Sequence, residues 1–352
     1  MKSKMTKLSF FKLPFLFVLF YGVLDSTFLV GRELLVDNMV FSYAKLNPYI
    51  WADSFVSLII HIVLPNTFNQ LANLVLIFIT SAIILHKNSV YRANKKNLLC
   101  VFLIVFLIII GINGCQILFE RQVLGFLYSA IAPYYFPHIE SLYIGIFRLA
   151  CYIWIIMAIY LGGKLLRTAF VTEPDMIVLS SDNSQKAHLS LFILLFNFYY
   201  LAIVLFCLNF FFIPKDPLDS TAPFEHNIVI IMFYSAFLLI INMIGYFALR
   251  KKFMAVNGQL QVKSLIFSSA IAFMLTLLTA IIVISINIYC LKWFDKMANS
   301  LTNNEMLIIV IADIMLLFLM LSVTGCGIVR KTAKAFFSKK ANLSCFVKLS
   351  PE

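Results

Sequence analysis

Charge is what this sequence has least of: Asp, Glu, Lys and Arg make up 12% of it, against 62% hydrophobic residues. An average soluble domain carries roughly a quarter of its residues as charges, so a fold that faces water on all sides is excluded. The missing charges leave apolar runs that are long and continuous, where the strands of a membrane barrel would be short and alternating. Hydrocarbon offers no partner to a backbone amide, and continuous runs of this kind satisfy their own amides only as helices. The expected fold class is therefore all-α, a polytopic bundle of transmembrane helices.

Other absences narrow the function. The seven cysteines (Cys100, Cys115, Cys151, Cys207, Cys290, Cys326, Cys345) include no C-x-x-C pair, and none falls in an expected outer loop. Neither a disulfide framework nor a zinc site is indicated. The five histidines (His61, His86, His138, His188, His226) are scattered. H-E-x-x-H, G-x-S-x-G, G-x-G-x-x-G and the phosphate-binding G-x-x-x-x-G-K-[ST] are all missing, so no metal, cofactor or nucleotide is expected and any energy coupling must come from an ion gradient or a partner chain. The one glycosylation sequon, Asn342 to Ser344, lies in the final segment and not in an outer loop. No soluble domain is present to read nucleic acid.

What is present is eight apolar runs: Leu13 to Gly31, Thr67 to Leu85, Asn97 to Phe119, Ser141 to Gly163, Leu189 to Ile213, Asn227 to Leu249, Ser264 to Phe294 and Met306 to Val329. About 20 residues cross a hydrocarbon core of about 30 Å. The seventh run, at 31 residues, has to tilt or project. Between the runs the basic residues alternate in number, with 21 of 28 on one side, and ten of the sixteen acids lie on the other. This bias puts both termini in the cytoplasm of an inner membrane. The formal charge of +12 is thus first a topology signal, although the basic segment that opens the tail, 330–352, can also meet anionic headgroups. Lys2, Lys4, Lys7 and Lys12 precede the first run as they would in a signal peptide, but no small-x-small cleavage site follows, and the run is expected to be kept as an anchor. The whole chain, 1–352, reads as one membrane domain.

Two outer segments are expected to do more than connect. From Trp51 to Pro65, Phe55, Leu58, Ile59, Ile62 and Val63 recur at helical spacing while Ser54, Ser57 and His61 take another face, as in an amphipathic helix lying in the interface. From Leu124 to His138, Pro133 and Pro137 flank an aromatic Tyr134-Tyr135-Phe136, which predicts a re-entrant or interfacial hairpin. Glu33, Asp37 and Asp53 sit in the first outer loop beside the amphipathic helix. In that respect, over about a tenth of the chain, it resembles polytopic lipid-linked sugar transferases, and the resemblance implies a membrane enzyme using outer-loop acids.

The sharpest functional signal is three ionisable residues inside the runs, where insertion costs about 2.5 to 3.5 kcal/mol each. Arg148 and Asp313 lie seven residues inside their runs, about 10 Å from the outer end, and Asp25 about 9 Å from it. Two readings follow. Arg148 snorkels outward, Asp25 marks a boundary and Asp313 finds a hydroxyl partner; or Arg148 is paired between the two aspartates, leaving one net negative charge in a pocket that takes a proton or a cationic solute. Glu33, Asp37, His61, His138 and Glu140 are further candidates on the outer face. The equivalent places of Arg148 and Asp313 in the fourth and eighth runs hint at two four-helix halves. The expected function is transport or permeation of a small solute without an ATPase of its own; a non-catalytic membrane subunit or scaffold, bound to the bilayer and to other membrane proteins, is the alternative, with the transferase as a third reading.

Overall fold

The computed structural model describes residues 7–32, 70–118, 122, 136–172, 181–211, 242–243, 245–249, 260–297 and 303–337. Among the described residues there is no strand, and the seven long elements are helices: α1 (Lys7–Arg32), α2 (Leu71–Lys87), α3 (Lys95–Leu118), α4 (Phe136–Leu165), α5 (Ser181–Phe211), α6 (Val262–Met297) and α7 (Asn303–Phe337). Six of them, all but α2, are long and apolar enough to cross a membrane, and the chain is a multi-pass membrane protein.

Each of these helices overlaps one expected run, and the differences are physical. The second run yields only 17 helical residues, about 26 Å at 1.5 Å per residue, beginning at Leu71 and not at Thr67. Residues 67–69 are outside the described set. Pro137 did not keep Phe136 to His138 out of a helix, because the opening turn of α4 has no intrahelical use for the missing N–H. The remainder of the expected hairpin lies outside the described residues, as do the whole Trp51 to Pro65 segment and most of the sixth run, of which 242–243 and 245–249 are helical. At the other end α7 continues past Val329 to Phe337. Thr332, Ala333 and Phe337 are buried there, so packing holds the first eight residues of the basic segment in a helix while Arg330, Lys331 and Lys334 stay exposed.

The chain divides into two compact units, Met1–Val178 with Tyr200–Tyr234, and Leu179–Tyr199 with Ser235–Glu352. In the first, α1 and α4 each pack against both α2 and α3. Phe11 stacks on Phe78 and the Tyr21 hydroxyl reaches Gln70, so α1 and α2 run antiparallel. Lipid supplies no hydrophobic drive between helices, and close approach over small residues does the work instead. Accordingly, Gly111 seats the Trp154 ring, Gly162 seats Ile104 and Gly163 seats Ile84. The Trp154 indole then donates to the Ile108 carbonyl at 3.2 Å.

One side chain ties two chain segments of this unit together. Asn94 caps α3 by accepting the Asn97 N–H at 2.7 Å. The Asn97 amide, itself fully buried, donates to the carbonyls of Arg92 (2.7 Å) and Val171 (3.3 Å) and accepts the Val171 N–H at 2.8 Å. Substituting Asn97 with leucine removes both bonds to the Val171 backbone and the one to the Arg92 carbonyl, each worth about 0.5 to 1.5 kcal/mol net. The expected result is a fall of several degrees in the melting temperature of the detergent-solubilised protein. An unchanged melting temperature would show that this tie contributes nothing.

In the second unit α6 and α7 form a helical hairpin, and 36 residues give α6 a length of about 54 Å, well beyond the hydrocarbon thickness. Phe196 of α5 packs edge-on against Phe273 of α6. Buried His188 of α5 accepts the Gln261 N–H at 3.1 Å and meets Phe337 of α7 edge-on. Outside these contacts α6 and α7 expose large apolar side chains such as Phe267, Met274, Met315, Leu319 and Val323, the surface that acyl chains solvate.

Candidate functional site

In helices this apolar, any polar side chain that avoids both headgroups and water has to find a partner within the protein. Two sets of such residues stand out, one in each unit.

The first unit gathers them around Tyr21. This ring is almost fully buried, and its hydroxyl donates to Gln70 Oε1 at 3.2 Å; the Asn73 amide donates to the same oxygen. Gln70 precedes the first residue of α2 and Asn73 lies in its first turn, so one side chain links the start of this helix to α1. Asp25 is one turn further along α1, half-buried and within electrostatic range of Tyr21. Cys151 of α4, buried at 4% exposure, is in electrostatic range of both Tyr21 and Arg148. Tyr21 and Asp25 thus share one turn of α1, and Arg148, Cys151 and Tyr152 one turn of α4, both helices packing on α2 and α3. Arg148 is half-buried as well. A donor fork, a carboxylate, a phenol and two amides offer every type of hydrogen bond that a small polar solute needs.

The second unit gives Asp313 a partner. Asn287 of α6 donates to Asp313 Oδ2 of α7 at 2.8 Å. The partner is an amide, where a hydroxyl was expected; Asn287 ends the apolar window Val262–Asn287, and Asp313 comes just before the window Met315–Phe337. Arg148 belongs to the first unit and Asp313 to the second. In the same unit Asn197 of α5, 6% exposed, donates to Asn242 Oδ1 at 2.9 Å. Its own Oδ1 accepts from no described residue.

Of the other candidates, His138 and Glu140 fall in the opening turns of α4, whereas Glu33, Asp37 and His61 lie outside the described residues. Among the described residues no three His, Cys, Asp or Glu side chains are grouped to hold a metal. Tyr21, Gln70, Asn73 and Asn287 carry no charge and do not stand out in the sequence. The signal that would have found them is uncharged amides and phenols interrupting or bordering apolar runs. No protein-family model, curated protein or solved structure matches the chain.

Proposed function

We propose that this protein is a transporter or permease-like protein for a small solute, driven by no ATPase of its own. The supporting observation is the hydrogen-bonded set Tyr21, Gln70 and Asn73, one turn from Asp25, with Arg148 on α4, within helices that are mostly apolar. Charged groups held at such places are expensive and mark ion or substrate paths more often than structural joints. The test is uptake of small solutes by liposomes containing the purified protein alone; saturable, gradient-dependent uptake is the expected result, and its absence across cationic, anionic and zwitterionic solutes would defeat the reading.

The second reading, a non-catalytic membrane subunit or scaffold, is favoured by the α6–α7 hairpin, whose helices of 36 and 35 residues offer a long apolar flank to another membrane protein. Stoichiometric co-purification of a membrane partner, without uptake, would decide for it.

Under either reading we place the membrane as a bacterial-type inner membrane, with the basic ends in the cytoplasm, from the segregation of 21 of 28 basic residues. Single cysteines at positions 95, 167, 251 and 334, in a version without native cysteines, are expected to resist an impermeant thiol reagent in intact cells, and those at 53, 135, 219 and 296 to react. Labelling of position 251 in intact cells would overturn this orientation.

A further inference from the structure

We propose that the basic end of the first unit, built from Lys87, Lys95, Lys96, Lys164 and Arg167, binds the headgroup of a phospholipid carrying more than one negative charge. All five side chains are exposed. They come from three stretches of chain, yet the structure ties those stretches together at the residues beside them. Asn88, next to Lys87, donates to the carbonyl of Gly163, next to Lys164, at 3.5 Å. Asn97, next to Lys96, holds both backbone groups of Val171, four residues beyond Arg167.

The turn that carries Lys87 towards Lys95 is fixed as well. Val90 is 1% exposed, its N–H donates to the Leu85 carbonyl at 3.0 Å, Ser89 adopts φ 55°, and the Tyr91 hydroxyl bonds His86 Nδ1 at 2.8 Å. The backbone that carries the cations is therefore fixed, and the ordering left to an anion is that of the side chains alone. Topology alone asks only that basic residues lie on one side. It does not ask that their segments be fastened to one another.

The exposed apolar neighbours say which polyanion fits. Leu99 is 61% exposed, one turn inside Lys95, and Leu165, beside Lys164, is 78% exposed. A soluble phosphate would have no use for them, whereas a phospholipid lays acyl chains along these leucines while its phosphates meet the ammonium and guanidinium groups. Several fixed cations favour a diphosphate headgroup over a single phosphate, because each Lys or Arg near an anionic surface adds its own increment of attraction.

The experiment uses the full-length protein in a neutral detergent, with lipid retention read by native mass spectrometry. Cardiolipin is expected to be retained at lower concentration than phosphatidylglycerol, and excess inorganic pyrophosphate is expected not to displace it. Changing Lys95, Lys96, Lys164 and Arg167 together to glutamine should weaken cardiolipin retention by at least about tenfold. Each half of that set should give part of the loss, and a Lys95→Arg, Lys96→Arg, Lys164→Arg variant should retain cardiolipin fully. Lys331→Gln with Lys334→Gln, exposed cations of the second unit, should change nothing. Unaltered retention in the glutamine variants, an equal loss from the Lys331 and Lys334 changes, or displacement by pyrophosphate would each overturn the proposal.

Discussion

Gly111→Val is expected to destabilise the first unit strongly. A Cβ at position 111 would lie 2.0 Å from Cε2 and Nε1 of Trp154, far inside van der Waals contact. The indole cannot simply step aside, because it is anchored to the Ile108 carbonyl and sits between two helices. Either α3 and α4 separate, forfeiting their close packing, or the ring leaves its seat and loses its hydrogen bond. Overpacking a tight interior usually costs about 1 to 3 kcal/mol, and here a lost indole hydrogen bond adds about 1 more. Against a total stability of about 5 to 15 kcal/mol this should appear as low yield and early melting. Trp154→Ala in the Gly111→Val background should restore part of the loss by vacating the seat. Gly114→Val is the control, since a Cβ there would meet nothing within 4 Å. If Gly111→Val melts like the parent protein, the glycine seat is not what joins these helices.

That prediction could not have been made from the sequence, and the reason distinguishes what is legible in a membrane protein from what is not. Hydropathy integrates over about 20 residues, so the cores of the long helices, such as Asn97 to Leu118 or Ser264 to Phe294, are marked in the composition itself. A glycine facing a tryptophan 43 positions away leaves no such mark. The same holds for the Asn97 tie to Val171, which depends on where the loop after α4 returns. Helix ends were legible only where the membrane sets them: Pro137 and the Arg330 to Phe337 stretch both read as breaks or tails, but a first-turn proline is tolerated and a buried Phe337 extends the helix.

The candidate site was half-legible for a related reason. A charge in an apolar run is conspicuous because it is costly, and so Asp25, Arg148 and Asp313 were found. The residue bonded to Asp313 is neutral, and Asn287, like Tyr21, Gln70 and Asn73, has a hydropathy that does not single it out. Their roles come from contacts between helices distant in sequence. Asp313 shows the consequence: a carboxylate expected beside a hydroxyl or an arginine is bonded to Asn287.

The remaining large effect concerns uptake. Asp25→Asn keeps the size and hydrogen-bonding capacity of the side chain while removing its charge, so the protein should insert and melt normally yet lose any pH-dependent or cation-dependent uptake. Arg148→Ala should be harsher, since it removes the positive charge together with the long aliphatic stem that carries it. With Asp25 and Arg148 serving one transport path, the double variant Asp25→Asn, Arg148→Ala should lose less than the sum of the single losses. Asp313 should behave differently. Asp313→Asn retains an acceptor for Asn287 and should be nearly silent in stability, while Asp313→Leu breaks an interhelical bond of the kind worth about 0.6 to 1.7 kcal/mol in membranes. Asn287→Leu should then cost little more in the Asp313→Leu background. Uptake that is indifferent to Asp25→Asn, or strict additivity of the Asp25 and Arg148 changes, would remove the two charges from the transport path and leave the scaffold reading as the one to pursue.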